Sequence, residues 1–482
     1  MPSLIHISDL HRSSDEPIDN DTLLAAIVAD VDRFAILNER PDALIVSGDL
    51  VQGVRVGQRD FEREMRDQYD VAFDLIGRLC DELLGGDRSK VVVVPGNHDV
   101  CWNTSVGAME TVANNSYPQN LRHALGERDG AYRWSWDEQR LYHVSSQPKY
   151  ELRLACYWDA VENFYRGVGL LLPIDRTRGY HFFQLFKGRM LVAAFESTHR
   201  NDHLRYESEL MTGVVSRCAM EFRRMGLNPS LLAAVWHHSL QGAPSKEDYL
   251  NIETIRQMAG LGFQLGFHGH QHLAESTDLS VSIAGGSTMC LVSAGSLCAS
   301  WHDLPRGTDR QYNIVRIEPN FERGTLHVRE MAEGSQFVPC SRGRFLWGMV
   351  PLAWSPRVNA VGGTAALADK ELRDLTIEVE EANKKGQQSP ATIELLQRQP
   401  GVKTYPRKVL LQALQLAENW QAIWEVYWPS DQVEEIVMAA EAAYQMSDLG
   451  KLDLVLASGK LPEIFRGDFG TRRNLLKMRE GK

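Results

Sequence analysis

An α/β domain followed by a smaller all-α domain is the fold this sequence predicts, and three observations predict it. Compact apolar runs at residues 4–8, 42–47 and 91–94 alternate with stretches of helical spacing, the pattern of parallel strands joined by crossover helices. Further strand runs recur up to about residue 328, and beyond about Gly334 strand signals give way to helical ones. Carboxylate, amide and imidazole residues fall just past the apolar runs, at the strand mouths where open α/β sheets keep their ligand sites.

A chain of 482 residues exceeds one ordinary core, so two domains are expected: residues 1–335, a linker or belt over 336–364, and a helical domain over 365–482. Hydrophobic residues make up 43% and charged residues 24%, the balance of a soluble globular protein. No apolar stretch is long enough to cross a bilayer, and the start, Met-Pro-Ser-Leu-Ile-His, has no basic region or long apolar core. A cytoplasmic protein with no membrane partner is expected. The seven cysteines are scattered without a Cys-x-x-Cys pair, which argues against a disulfide framework or cysteine zinc site. A net charge of −11 disfavours unspecific binding to DNA.

The first strand delivers Asp9 and His11. Residues two apart on an extended chain point the same way, so these two are expected to converge. A helix over residues 20–37 carries Leu23, Ile27, Val31 and Phe34 on one face, and the second strand ends at Gly48 and Asp49. A longer helix spaces Phe61, Met65, Tyr69, Ala72, Ile76, Leu79 and Leu83, and stops at Gly85-Gly86. The strand over 91–94 opens into Gly96-Asn97-His98-Asp99. Between about 101 and 187 regular alternation is lost and aromatic residues are dense, an insertion whose rings fill a subsidiary core, with one or two free to stack on a substrate.

Strands are expected again at 190–195, at 231–236 leading to His237-His238, and at 263–267 leading to His268-Gly269-His270-Gln271-His272. Runs at 290–293, 312–317 and 325–328 read as antiparallel, the last two as a hairpin through Arg323-Gly324. Pro339, Pro351, Pro356 and Gly362-Gly363 mark the linker. Ser389-Pro390 starts a helix, and two more follow around Val409–Ala417 and Ile436–Ala443.

The mouths together carry Asp9, His11, Asp49, Asn97, His237, His270 and His272. Imidazole and carboxylate suit divalent transition metals, and Asp49 has the two oxygens needed to bridge a pair of them. Two such ions can share a hydroxide and polarise a phosphoryl oxygen, the requirements of phosphate-ester hydrolysis. His238 and His268 flank the set as outer or pocket residues. His199 and His203 lie at the cleft or on the surface, and Arg12 contacts phosphate or solvent.

In order, Asp9-x-His11, Gly48-Asp49, Gly96-Asn97-His98-Asp99, His237 and Gly269-His270-x-His272 resemble the signature of the calcineurin-like metallophosphoesterases, over roughly residues 1–335. The resemblance implies a four-layer αββα sandwich of two mixed sheets. It implies one metal on Asp9, His11, Asp49 and His272, and another on Asp49, Asn97, His237 and His270. It makes His98 the imidazole beside the metals; Asp99 either orients His98 or caps the following segment. Manganese is the expected metal, with iron, zinc or nickel as alternatives.

The segment Gly48-Asp49-Leu50-Val51-Gln52-Gly53 lacks the arginine of the protein-phosphatase branch, and the third motif ends in Asp99 rather than glutamate. The expectation is a two-metal phosphodiesterase acting on a small nucleotide-type ester. Alternatives are an SbcD/Mre11-like DNA or RNA nuclease whose partner docks on the helical tail, and an inactive metal-binding scaffold. The C-terminal helices offer no catalytic cluster and are assigned to oligomerisation or partner binding.

Overall fold

The computed structural model describes residues 1–13, 18–127, 130–241, 248–281, 287–300, 303–332, 334–340, 348–354, 375–376, 378–380, 382–383, 389–398 and 404–479. The chain divides into two compact units, Met1–Val358 and Asn359–Lys482.

In the first unit, β1 (Ser3–Ile7), β2 (Ala43–Val46) and β3 (Val91–Val93) are parallel neighbours. Helices α1 (Asn20–Leu37) and α2 (Phe61–Leu84) make the crossovers. Every residue of these three strands is buried, because both faces of the sheet are covered. The insertion forms its own three-stranded antiparallel sheet, β4 (Met109–Thr111), β5 (Tyr132–Ser135) and β6 (Arg140–Val144). A helix at Ala155–Phe164 then sends Tyr157, Trp158 and Phe164 into the main core.

A second sheet comprises β7 (Tyr180–Leu185), β8 (Met190–Phe195), β9 (Leu231–Val235), β10 (Leu265–His268), β11 (Glu275–Val281) and β12 (Ser287–Ser293), in the order β11-β12-β10-β9-β8-β7. The first sheet is completed by β13 (Gln311–Ile317), β14 (Arg323–Ala332), β15 (Gln336–Pro339) and β16 (Met349–Ala353), in the order β15-β14-β13-β1-β2-β3 with β16 also on β14. Both sheets are mixed, and strand periodicity divides their side chains. Val192, Ala194, Ala233, Val235 and Phe267 share one core with the first sheet, where Phe267 meets His6 of β1 at 5.1 Å between ring centroids. Leu191, Ala193, Leu232 and Ala234 face the other way, onto the helices Val214–Arg224 and Ile252–Gly260. The result is helix, sheet, sheet, helix.

Three local expectations are corrected. β12 runs parallel to β10 and is antiparallel only to β11. The β13–β14 hairpin turns before Arg323, where Phe321 takes φ +63° and bonds the Glu318 carbonyl, so Arg323-Gly324 lie in the strand. Part of the expected linker is sheet: β15 and β16 pair with β14, and Pro351 is tolerated because β16 is an edge strand. Pro356 and Gly362-Gly363 lie outside the described residues.

The second unit, among its described residues, is helical: Pro390–Arg398, Thr404–Leu416, Trp420–Tyr427, Val433–Gln445, Leu449–Ala457 and Glu463–Arg479. Val409, Leu410, Ala413, Leu414, Ala440 and Ala443 are buried there, as their helical spacing requires. No helix among the described residues is long and apolar enough to cross a membrane.

Candidate active site

Parallel pairing sets the mouths of β1, β2 and β3 side by side, and those of β9 and β10 likewise. Backbone bonds then zip the loops together: Asp9 N–H donates to the Gly48 carbonyl at 3.1 Å and His11 N–H to the Asp49 carbonyl at 2.9 Å. Asp9 and His11 do converge, but not through an extended chain. Both are left-handed, φ +52° and +44°, as are Asp49, His270 and His272. Glycine is required where the loops touch: at Gly48, with φ +99°, a Cβ would sit 2.6 Å from Nδ1 of His237.

The seven side chains gathered from the sequence meet in one cluster, with Asp9, His11, Asp49 and His237 buried and Asn97, His270 and His272 partly so. His272 Nε2 lies 3.3 Å from Asp9 Oδ1 and 3.1 Å from His11 Nε2. His11 Nε2 is 3.8 Å from Asp49 Oδ2, and His237 Nε2 is 3.2 Å from that oxygen. Asn97 Oδ1 stands 3.0 Å from both His237 Nε2 and His270 Nδ1, which are 3.3 Å apart. Three donor groups, Asp9/His11/His272, His11/Asp49/His98 and Asp49/His237/His270, have the compactness needed to hold an ion, and Asp49 belongs to two of them.

These spacings decide whether the residues fit a metal. Ligands at about 2.1 Å from one ion stand roughly 3.0–3.4 Å from one another, the separation found here for each of these pairs except His11–Asp49, at 3.8 Å. Two imidazole nitrogens facing at 3.1 Å repel unless a proton or a cation lies between them. Except at His11, whose buried Nδ1 has no hydrogen-bond partner among the described residues, the second nitrogens are tied outside. Nδ1 of His237 bonds the Ser47 carbonyl at 2.8 Å, Nδ1 of His272 the Asp303 carbonyl at 2.7 Å, and Nδ1 of His98 the Gln52 carbonyl at 2.8 Å. A carbonyl partner requires Nδ1–H, so Nε2 is left facing the cluster. His270 is turned over, with Nε2 held by Asp248 at 3.6 Å and Nδ1 facing inward.

Charge is balanced inside the cluster. Burial opposes ionisation of Asp9 and Asp49, but His272 and His237 beside them outweigh it and hold both carboxyls below their ordinary range. Burial likewise opposes the cations of His237 and His272, yet the Asp49 and Asp9 carboxylates push them up to about 9. His11 is lowered to about 3 by burial and by neighbouring His98.

Asp99 follows neither of its two readings: it bonds back to its own loop and to the second loop, not to the segment after it or to His98 Nδ1. Its buried carboxylate accepts from Gly96 N–H at 2.7 Å, Leu50 N–H at 3.2 Å and the Tyr69 hydroxyl at 3.0 Å, and so pins the second and third loops together. The His98 imidazole is oriented by Gln52 instead. Arg12 is not at the solvent-exposed surface; it is buried, donating to the Ile18 carbonyl and Asn20 Oδ1. His238 bonds Ser197 Oγ at 2.8 Å with its ring 4.9 Å from that of His270, and His268 stacks on Trp236. His203 is tied to Ser105 at 2.7 Å, and His199 lines a separate cavity. Sequence reasoning missed Asp248 and Ser197, which carry no motif, and the three orienting carbonyls, which any residue supplies.

Two mixed sheets bearing carboxylates and imidazoles on adjoining mouths define the class of metal-dependent hydrolases. The family model for calcineurin-like phosphoesterases matches residues 2–274, more than half of the chain, and the chain belongs to that family, one of phosphoester hydrolases. It is 33% identical over 128 residues to a glycerophosphodiester phosphodiesterase, GpdQ, of Enterobacter lignolyticus (strain SCF1), a match covering 26% of this chain and 39% of that one. Among solved structures it is similar to a dimetal phosphatase from Danio rerio, with 11% identity, TM-score 0.38, and 73% of this chain and 99% of that one covered. It is also similar to the calcineurin-like phosphoesterase YfkN from Bacillus subtilis, with 12% identity, TM-score 0.29, and 74% and 92% covered.

Proposed function

We propose that the chain is a two-metal phosphodiesterase for small, nucleotide-type diesters. The observation that carries this reading is the single cluster of two carboxylates, four imidazoles and an amide oxygen at ligand-to-ligand spacing, with Asp49 shared between groups. Asp9, His11, Asp49 and His272 would hold one ion, and Asp49, Asn97, His237 and His270 the other, with manganese the expected metal. Two divalent ions there would supply Lewis acidity to the phosphoryl oxygens and to the attacking water.

The protein's own contribution is position and proton transfer. The Gln52 carbonyl accepts from His98 Nδ1–H, so Nε2 is the nitrogen turned to the substrate, and it would donate to a phosphoryl oxygen or to the departing alkoxide in the imidazolium form. The Ser47 and Asp303 carbonyls and Asp248 hold the other rings against rotation. The diester preference is supported by the relative's description as a glycerophosphodiester phosphodiesterase. A small substrate rather than a polynucleotide accords with the net charge of −11.

The test is turnover by manganese-loaded protein of bis(p-nitrophenyl) phosphate, cyclic nucleotides, single-stranded DNA and p-nitrophenyl phosphate. Hydrolysis of the small diesters with DNA left intact is expected. Cleavage of DNA in preference to them would give the nuclease reading, activity on the monoester alone would overturn the diesterase, and metal binding without turnover would leave a scaffold.

A further inference from the structure

The cavity that His199 lines, about 500 Å³, is bounded by the insertion on one side and the loop after β8 on the other, and its lining residues are distinct from those of the cluster. Its volume suits a molecule of nucleotide size. Both walls are anchored on the candidate active site. In the second sheet Ala194 pairs with Val235, so two residues further on Glu196, which lines the cavity, falls beside His237 at one strand spacing, about 5 Å. Ser197, next in the chain, accepts from His237 N–H at 3.2 Å. On the opposite wall the Arg153 carbonyl accepts from Cys101 N–H at 2.8 Å, two residues past Asp99.

Five arginines line this space, and they are not equivalent. Arg133 is neutralised by Asp202 at 2.7 Å, Arg176 by Asp159 and Glu162, and Arg200 by Glu207 and Glu209. Arg205 shares Glu207 at 3.5 Å. Arg153 differs. It is buried, its guanidinium lies 3.6 Å over the Tyr150 ring, and its hydrogen bonds go to the carbonyls of Asn201, Tyr150 and His199. Those three bonds hold it rigidly and use three of its five N–H groups, and among the described residues none of its hydrogen bonds goes to a carboxylate. Glu196, at the end nearer His237, is suited to accept from a neutral hydroxyl.

We propose that this cavity receives the leaving-group half of the diester and selects one that carries its own anion, a carboxylate or phosphate, through Arg153. This rests on the phosphodiesterase reading and names the substrate class of the same site. A flexible surface arginine would confer little selectivity, but one fixed over a ring and bonded only to carbonyls among the described residues recognises an anion at small entropic cost.

The experiment compares two isosteric esters, methyl 4-carboxyphenyl phosphate and methyl 4-carbamoylphenyl phosphate, whose leaving groups differ in charge alone, with the methyl 4-(trimethylammonio)phenyl ester as a third. For the unaltered protein the carboxylate ester is expected to have the lowest KM of the three. In Arg153→Met the carboxylate-to-carbamoyl ratio of kcat/KM is expected to fall by about tenfold or more, the loss that accompanies removal of a charged-group hydrogen bond. Arg153→Lys is expected to recover part of it. Equal KM values in the unaltered protein, or preference for the cationic ester, would overturn the proposal even if Arg153→Met failed to fold. Bis(p-nitrophenyl) phosphate separates the two ideas: its hydrolysis without charge selectivity removes the anion pocket alone, whereas no hydrolysis of any diester removes the reading beneath it.

Discussion

Gly96→Ala probes how tightly the metal loops are fitted. Gly96 has φ −113° and ψ −174°, a conformation open to alanine, so backbone strain adds nothing and the effect is steric. An added Cβ would stand 2.8 Å from Asp49 Cγ and closer still to Asp49 Oδ1 and its backbone nitrogen. Ordinary carbon contacts begin near 3.5 Å, so Asp49 must retreat by roughly 1 Å. Overpacking of that kind costs about 1–3 kcal/mol. Displacing the shared carboxylate by that distance is expected to lower the hydrolysis rate by about 10²-fold. The assay is turnover of bis(p-nitrophenyl) phosphate with metal content and a urea melt on the same preparations. Gly77→Ala serves as the control: it lies within α2 with open space around its Cβ, and a gain of about 1 kcal/mol with unchanged rate is expected. A Gly96→Ala protein that kept its metal and turned over within about threefold of the unaltered chain would refute the argument that Asp49 is positioned to ångström precision.

Other perturbations separate chemistry from scaffold. Asp49→Ala is expected to lose both turnover and bound metal by elemental analysis, whereas His98→Ala loses turnover and retains metal; a fully active His98→Ala would remove that residue from the mechanism. Arg329→Met strips the buried Asp30 carboxylate of its bonds from Nε at 2.8 Å and Nη2 at 2.6 Å but leaves it Arg33 at 3.2 Å and the Tyr312 hydroxyl at 2.6 Å, so a loss of about 1.5–3 kcal/mol is expected in urea, partly restored by adding Asp30→Leu. His181 is buried, and its Nε2 accepts from Asp175 N–H at 2.9 Å. Burial first, then Arg178, lowers it to about 4. The unfolded chain therefore binds more protons between pH 6.5 and 4, so His181 contributes stability above pH 6.5 that drains away as pH falls towards 4, about 3 kcal/mol in all. His181→Gln should flatten the stability curve in that window by this amount, and an unchanged slope would refute it.

The parts of the fold legible in the sequence are those where burial on both faces left a continuous β-branched run, as in Val91–Val93 and Leu231–Val235. β3 shows this although it ends its sheet, but the edge strands β11, β15 and β16 left no such trace. Glu-Ser-Thr-Asp-Leu-Ser-Val at β11 is largely polar and, among the described residues, pairs only with β12, and β15 and β16 hide behind Pro339 and Pro351. The aromatic insertion looked irregular because its small sheet uses strands of three to five residues, too short to declare a period.

The site shows a different division. Residue types that hold metals must be written in the sequence, and all seven meet in one place. What orients them need not be written: Ser47, Gln52 and Asp303 act through carbonyls, and any side chain could stand there. The chain's path through the site was also hidden. Five of the seven, Asp9, His11, Asp49, His270 and His272, sit at φ between +44° and +74°, where residues other than glycine are uncommon and each costs about 1–3 kcal/mol. Such conformations persist only where the surroundings fix them, and here each loop is bonded to the next: Asp9 to Gly48, His11 to Asp49, His270 N–H to Asp9 and Gly269 N–H to the His237 carbonyl. Asp9 and His11 therefore meet because their backbone turns sharply twice under constraint from a neighbouring mouth, not because alternate residues of a strand share a face. The strain is local and the bonds that offset it are long-range, so the cluster can form only after both sheets have closed on each other.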